Sequence, residues 1–385
     1  MFCKCLLYRL VCGCCEALDL FGLRVNFFSL SPSFLLLWGA GRGKEDYLCG
    51  RIQLDLSNMT DRHKERILMA FDTIEEGFEE LEERFELVRP PHGRDFSRQE
   101  IMEQIPSATI LCSVFDIPID REIIDKAPNL KLIANYAVGF NNIDIEYCRE
   151  KGIAVANTPE SVIAPTAELA LALLLSLSRR TAEWDRTLRT MGRDLKPSRL
   201  DRLGLDLLGK TIGIVGFGNI GRSVAARCQA FGMKVLYYKR HRLSEEIERQ
   251  LGVSYCDLDM LFETADVISL HTPLNEDSRH LVDANRLARM KPSALLVNTA
   301  RGAVVDENAL VEALASGKIA GAALDVYEDA DKPNAALFRL DNVVMTPHVG
   351  TQTYDARLSM ARELTNNVLG FVDGDRPVAY VVQPA

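Results

Sequence analysis

Three polar clusters in this chain each follow a short apolar run, and each holds a side chain able to bind or move charge. Asn298-Thr299-Ala300-Arg301-Gly302 carries a guanidinium, Ala323-Leu324-Asp325-Val326-Tyr327-Glu328 carries carboxylates, and Thr346-Pro347-His348-Val349-Gly350 carries an imidazole. A guanidinium is a planar fork that pairs with a carboxylate. An imidazole changes protonation near neutral pH and can give or take a proton. Any one cluster alone reads as the polar end of a loop. Upstream stands Gly216-Phe217-Gly218-Asn219-Ile220-Gly221, which closes an apolar run and opens a helical one. In that setting a GxGxxG reads as a dinucleotide-binding turn. Gly216 permits the tight turn, Gly218 lets backbone approach a pyrophosphate, and Gly221 lets helix and strand pack closely. The helix then turns its free N–H groups toward the phosphates. An Arg, carboxylates and a His beside a dinucleotide suggest hydride transfer to the carbonyl of a carboxylate-bearing substrate.

The strand after a dinucleotide turn commonly ends in an Asp or Glu for the adenosine ribose. Here Tyr237-Tyr238 runs into Lys239-Arg240-His241-Arg242. A carboxylate repels a 2'-phosphate, whereas Lys or Arg pairs with it. The reading therefore favours NADPH over NADH, with Lys239 and Arg240 as the phosphate partners.

These clusters need a scaffold that brings strand ends together. Apolar runs at 67–71, 109–114, 130–134 and 153–156 predict strands, and 75–85 predicts a charged helix. A second block predicts strands at 210–216, 234–238, 267–270, 294–298, 321–326 and 343–346. Its helices are predicted at 219–231, 257–263, 285–290 and 307–315. Such alternation argues for parallel sheets with helices on both faces. Between the blocks, Thr166–Arg180 is apolar nearly all round and runs on toward Met191. That suits a helix buried between domains or subunits.

The chain has 385 residues, 47% of them hydrophobic and 26% charged, which is ordinary globular composition for about two domains. A net charge of -9 argues against a broad nucleic-acid or anionic-membrane surface. Residues 1–58 read differently. They hold six of the ten cysteines, carry 6 basic and 5 acidic residues, and lack a clear period, a membrane-length apolar run or a signal-peptide pattern. The expectation is that the working fold starts at Met59 and that 1–58 is an atypical extension outside it. The other cysteines, Cys112, Cys148, Cys228 and Cys256, show no metal spacing and read as reduced thiols of a cytoplasmic protein.

From Met59 onward the chain resembles the D-isomer-specific 2-hydroxyacid dehydrogenases, and most closely their glyoxylate/hydroxypyruvate reductase branch. The motifs that carry the resemblance are Asn135-Tyr-Ala-Val-Gly-Phe-Asn-Asn-Ile-Asp144, Thr166-Ala-Glu168, the GxGxxG, Asn298–Gly302, Leu324-Asp-Val and Thr346-Pro-His-Val-Gly350, in family order. The resemblance implies two Rossmann-like or flavodoxin-like α/β domains. A cofactor domain at 161–349 would be inserted into a substrate domain made of 59–160 and 350–385. It implies that Arg301 binds the substrate carboxylate and polarises its carbonyl, and that His348 is the acid in reduction. Backbone N–H groups around Val138 and Gly139 would hold the carboxylate. Thr166, Asn219, Ile220, Thr272, Pro273, Thr299, Ala300, Arg301, Asp325, His348 and Gly350 would meet the cofactor, alongside the glycines of the turn. It further implies a homodimer acting on a small 2-oxo or 2-hydroxy acid, with no metal.

One departure stands out. The family places a Glu that holds the catalytic His protonated, and the aligned residue here is Ala330. Asp331 is the favoured substitute. Asp329 or Glu328 could serve instead, or His348 could act unaided. A phosphoglycerate dehydrogenase-like enzyme is the runner-up within the class, and a catalytically weakened dinucleotide-sensing scaffold is the reading from another class. Tyr136 and Phe140 flank the substrate loop, either as walls that crowd out bulky substrates or as ordinary core aromatics.

Overall fold

The computed structural model describes residues 64–384. The expected extension over 1–58, its six cysteines and the start at Met59 lie outside the described residues.

Among the described residues thirteen short strands, β1 to β13 in chain order, form two sheets. In the first sheet β1 (Arg66–Met69), β2 (Glu86–Val88), β3 (Ile110–Ser113), β4 (Leu132–Asn135) and β5 (Ala154–Ala156) are joined by β13 (Tyr380–Val382). Their order is β13-β5-β4-β3-β1-β2. All pairs are parallel except β13 with β5. The second sheet contains β6 (Thr211–Val215), β7 (Lys234–Tyr238), β8 (Val253–Tyr255), β9 (Val267–Leu270), β10 (Leu295–Asn298), β11 (Gly321–Leu324) and β12 (Val343–Met345). Its order is β12-β11-β10-β9-β6-β7-β8, parallel throughout. Strands such as β3, β4, β9 and β10 are buried at every position, as sheets covered on both faces require. These are the two parallel α/β sheets of a Rossmann-like architecture. In the second sheet the chain runs outward one way from β6 through β7 and the other way from β9. Between β6 and β9 lies the switch point at which such sheets bind ligands, beyond the carboxyl ends.

Helix boundaries depart from the sequence expectation where backbone chemistry intervenes. The charged helix covers only Glu79–Arg84. Gly77 sits at φ +92 just before it, and a Cβ there would lie 2.9 Å from Ala361 Cβ. The long apolar stretch is two helices, Ile163–Ser178 and Thr181–Met191. Arg180, at φ 53, breaks it. Pro165 falls in the first turn of the earlier helix, where the missing N–H costs nothing. β2, β8 and β13 are too short and too exposed to announce themselves in sequence. The helices Arg98–Gln104, Arg121–Asp125, Ile145–Lys151, Glu245–Leu251 and Tyr354–Asp373 lie beyond those the sequence predicts.

Two helices matter most for the site. Ile163–Ser178 buries Ala167, Ala170, Leu173, Leu174 and Leu177 in the core of the second sheet. Tyr354–Asp373 buries Met360, Ala361, Leu364, Val368 and Leu369 against the first sheet before the chain returns as β13. Cys112, Cys148, Cys228 and Cys256 are all buried free thiols. Among the described residues no helix is long and apolar enough to cross a membrane. Among the same residues no group of three or more His, Cys, Asp or Glu could hold a metal ion.

Candidate active site

The carboxyl ends of both sheets face a cleft of 640 Å³. Phe115, Asp116, Gly139 and Asn142 line it from the first sheet, and Arg301 and His348 from the second. Arg301 leaves β10 in extended conformation, with φ -144 and ψ 140. Its Nη1 donates to the Ala300 carbonyl at 2.7 Å. A Cβ on Gly139 would land on the guanidinium, so only glycine lets the two approach. Gly302 is held equally close, because a Cβ there would meet the Tyr327 carbonyl. Burial pulls the guanidinium's pKa below its ordinary value.

His348 sits at φ 55, a left-handed conformation that a non-glycine side chain rarely adopts. Asp325 accounts for it. This carboxylate is 1% exposed and accepts from Thr346 Oγ1 at 2.6 Å, Val349 N at 2.8 Å and Gly350 N at 3.0 Å. The His348 N–H donates to the Asp325 carbonyl at 2.9 Å. The carboxylate thus pins both sides of the histidine. Burial pushes the Asp325 pKa up, and those three donors hold it down. The Phe115 ring covers the imidazole at 4.3 Å between centroids. Burial pushes the His348 pKa down to about 4, and the charges of Arg301 and Arg357 push the same way.

No carboxylate among the described residues hydrogen-bonds the His348 ring. Asp331 lines the cleft, but only its N–H is engaged, by Asp329 within its own loop. Asp329 likewise accepts only from the N–H groups of Asp331 and Lys332. Glu328 turns away and pairs with His280 at 2.7 Å and Arg279 at 3.0 Å. Its N–H and that of Asn334 are held by Glu307, at 3.0 and 2.6 Å, which fixes both ends of the loop carrying Ala330 and Asp331. None of the three carboxylates weighed as the histidine's partner is in place.

The Val138–Gly139 loop is set by two buried amides. Asn157 Nδ2 donates to the Val138 carbonyl at 2.8 Å, and Asn135 Nδ2 to the Gly139 carbonyl at 2.7 Å. Ser113 in turn orients Asn135 at 3.0 Å. Both carbonyls of the loop are thereby engaged. Sequence reasoning missed Asn157 and Phe115. Asn135 was visible as a polar residue ending an apolar run, but its task was not. Tyr136 is a core aromatic, 1% exposed and stacked on Phe71 at 4.9 Å, and Phe140 is solvent-exposed, so neither walls the cleft.

The glycine turn fits a dinucleotide. Gly216 has φ +92, and a Cβ on it would lie 2.5 Å from the His271 backbone. Gly218 faces open space, leaving room for a diphosphate, and Asn219 and Ile220 open the helix with free N–H groups. Thr272 and Pro273 follow β9, which borders the switch point, and Thr299 and Ala300 follow β10, the next strand on the same side. Thr299 Oγ1 is buried without a hydrogen-bond partner, as a group awaiting a ligand would be. Thr166 Oγ1 would lie 3.5 Å from a Cβ on Gly350, which puts the buried helix against the Asp325–Gly350 corner. Lys239 and Arg240 stand at the carboxyl end of β7, and Arg240 reaches Asp277 at 3.5 Å.

Comparison with known proteins agrees with this geometry. Residues 171–350 match the family described as D-isomer specific 2-hydroxyacid dehydrogenase, NAD binding domain. A glyoxylate reductase of Thermococcus onnurineus is 41% identical over 83% of this chain and 96% of its own length. An NADPH-dependent glyoxylate/hydroxypyruvate reductase from Sinorhizobium meliloti, solved with NADP and malonate, superposes with a TM-score of 0.72 at 29% identity, covering 83% of this chain and 98% of that one. A D-lactate dehydrogenase from Aquifex aeolicus, solved with NAD and lactic acid, gives a TM-score of 0.71 at 29% identity, covering 83% and 100%. The chain belongs to the D-isomer specific 2-hydroxyacid dehydrogenases, oxidoreductases that use a nicotinamide dinucleotide.

Proposed function

We propose that this enzyme reduces a small 2-oxo acid, glyoxylate or hydroxypyruvate, to the D-2-hydroxy acid with NADPH as the preferred cofactor. The observation that carries the reading is the packing of Arg301 against Gly139 in a cleft that also holds His348. The substrate carboxylate pairs with the Arg301 fork and with N–H groups around Val138 and Gly139. The same guanidinium polarises the carbonyl, where negative charge develops in the transition state. His348 delivers the proton to the carbonyl oxygen, and Phe115 covers its ring and keeps water from it. The bound nicotinamide supplies the hydride. Gly216, Gly218, Asn219, Ile220 and Gly221 receive its diphosphate, and Thr166, Thr272, Pro273, Thr299, Ala300 and Gly350 line its path. Lys239 and Arg240 meet the 2'-phosphate. Asp325, which pins the His348 loop, also stands at the nicotinamide end of the cofactor.

In this reading the first sheet, with 350–384, carries the substrate, and residues 161–349 carry the cofactor. The enzyme works in the cytoplasm, where the four buried thiols of the described residues stay reduced. Following loss of absorbance of NADPH and then NADH, with glyoxylate and with hydroxypyruvate, tests it. NADPH oxidation dependent on the 2-oxo acid is expected. Cofactor binding without turnover would instead favour the sensing scaffold, a reading supported by the missing carboxylate beside His348.

A homodimer is the expected assembly. Leu188, Met191, Leu200, Leu203 and Leu208 are all exposed on the helix Thr181–Met191 and the segment after it. So many exposed large apolar side chains on one stretch of chain favour an interface there. Light scattering is expected to give twice the chain mass, and a monomer mass would refute the assignment.

A further inference from the structure

At the carboxyl end of β7, a buried polar cluster grips a short basic segment from both sides. The Tyr237 ring is 0% exposed and packs on Phe217 at 4.5 Å, yet its hydroxyl makes two hydrogen bonds. It donates to Glu248 Oε1 at 2.6 Å and accepts from the Leu243 N–H at 3.0 Å. Glu248 is 7% exposed and takes Arg242 in a fork: Nε to Oε1 and Nη2 to Oε2, both at 2.8 Å. Arg242 also lies over the Tyr255 ring at 5.5 Å. At the other end of the segment, the Tyr238 carbonyl accepts from the Gly216 N–H at 3.0 Å, which ties it to the glycine turn. Lys239, Arg240 and His241 are what remains between these two anchors.

This arrangement divides the basic run into two jobs. Arg242 is consumed by the clamp, because its charge is matched by Glu248 in a geometry that favours the pair. Arg242 holds the Glu248 carboxyl down to about 2, with the Tyr237 hydroxyl adding to the effect, so the clamp stays charged across the working pH range. Arg240 has only Asp277, at 3.5 Å with both side chains well exposed, a pairing worth little and easily exchanged for a phosphate. A flexible loop of this composition would lose entropy on gripping a ligand, whereas a loop held in place beforehand would not.

We infer that the Tyr237–Glu248–Arg242 clamp sets cofactor specificity by holding the Lys239–His241 segment where Lys239 and Arg240 meet the 2'-phosphate of NADPH. The inference rests on the NADPH preference proposed above. Tyr237 and Glu248 are positioning residues: they touch the segment rather than the cofactor. A clamp that served stability alone would alter the affinities for both dinucleotides together or leave both unchanged.

The test is calorimetric titration of the full chain with NADP+ and with NAD+, for the wild type, Tyr237→Phe and Glu248→Gln, with thermal melting alongside. Tyr237→Phe keeps the buried ring and deletes the hydroxyl. Glu248→Gln keeps the shape and deletes the charge. In each variant the Kd for NADP+ is expected to rise about tenfold, the equivalent of one hydrogen bond to a charged group. The Kd for NAD+ is expected to stay within about twofold, well below that effect. Parallel changes in both Kd values, or none, would overturn the clamp's role. A wild type that prefers NAD+ but whose Kd ratio still shifts would sink the NADPH reading and keep the clamp. A wild type that prefers NADP+ with an immovable ratio would do the reverse. Should Tyr237→Phe lose its melting transition, Glu248→Gln decides by the same criterion.

Discussion

Arg301→Gln is expected to lower kcat/KM for the 2-oxo acid by about 10³, a loss of about 4 kcal/mol, while leaving the Kd of the oxidised cofactor nearly unchanged. Two contributions disappear together. The substrate carboxylate loses its forked partner in a buried site, a truncation that typically costs about 2–5 kcal/mol. The carbonyl oxygen also loses the positive charge that stabilises it as the hydride arrives. Because the second contribution exists only in the transition state, kcat falls as well as KM rising. Arg301→Lys keeps the charge and loses the fork, so its effect is expected to be smaller, about 10- to 100-fold. The close packing at Gly139 sharpens the contrast, since a lysine ammonium cannot fill the space of a planar group that nearly touches the loop backbone. Steady-state kinetics with calorimetric cofactor titration would check both variants. A Gln variant within about fivefold of wild type would show that Arg301 is not the carboxylate's partner, since even one lost charged hydrogen bond exceeds that.

What the sequence disclosed follows physical scale. Runs of β-branched and aliphatic residues ended by Gly, Asn or Asp disclosed the central strands, because a parallel strand is buried on both faces and has little choice of composition. The GxGxxG disclosed the turn because steric demand at Gly216 and Gly221 is local. Edge strands such as Val253–Tyr255 stayed hidden, since three residues with one exposed face carry almost no pattern. The helix break at Arg180 stayed hidden because a left-handed arginine has no signature of its own. In the site, Arg301 and His348 were legible as polar residues ending apolar runs. Asn157, Phe115 and the Glu248 clamp were not, because their significance lies in partners 19, 233 and 11 residues away, distances that only folding closes. The carboxylate proposed for His348 failed for a related reason. Reading along the chain places Asp331 and Glu328 close to the right position, but Glu307 fixes the loop and His280 claims Glu328.

His348→Asn is expected to reduce kcat by about 10²–10⁴, the usual worth of a positioned proton donor, with little change in substrate KM. Asparagine tolerates the left-handed backbone at φ 55 better than most residues. The loop held by Asp325 should therefore survive, and the loss would report on the proton rather than on folding. The wild-type pH profile should carry the same signature. In the free enzyme burial and the Arg301 charge set the His348 pKa at about 4. The protonated form, which reduction needs, is then the minority at neutral pH, roughly one molecule in a thousand at pH 7. kcat/KM for reduction should rise as pH falls through neutrality toward about 5, whereas oxidation needs the neutral imidazole and should be flat over the same window. Ala330→Glu supplies a carboxylate from the loop that lines the same cleft. A nearby negative charge favours the imidazolium, so the reductive limb should move toward higher pH, and the rate at pH 7 should rise about tenfold for every whole pH step the limb travels. A kcat profile already flat around neutrality and unmoved by Ala330→Glu, beside a kcat/KM that still slopes, would mean that the substrate's own carboxylate restores the imidazolium on binding. The missing glutamate would then be a tolerated loss, because the anion that Arg301 brings in does its work.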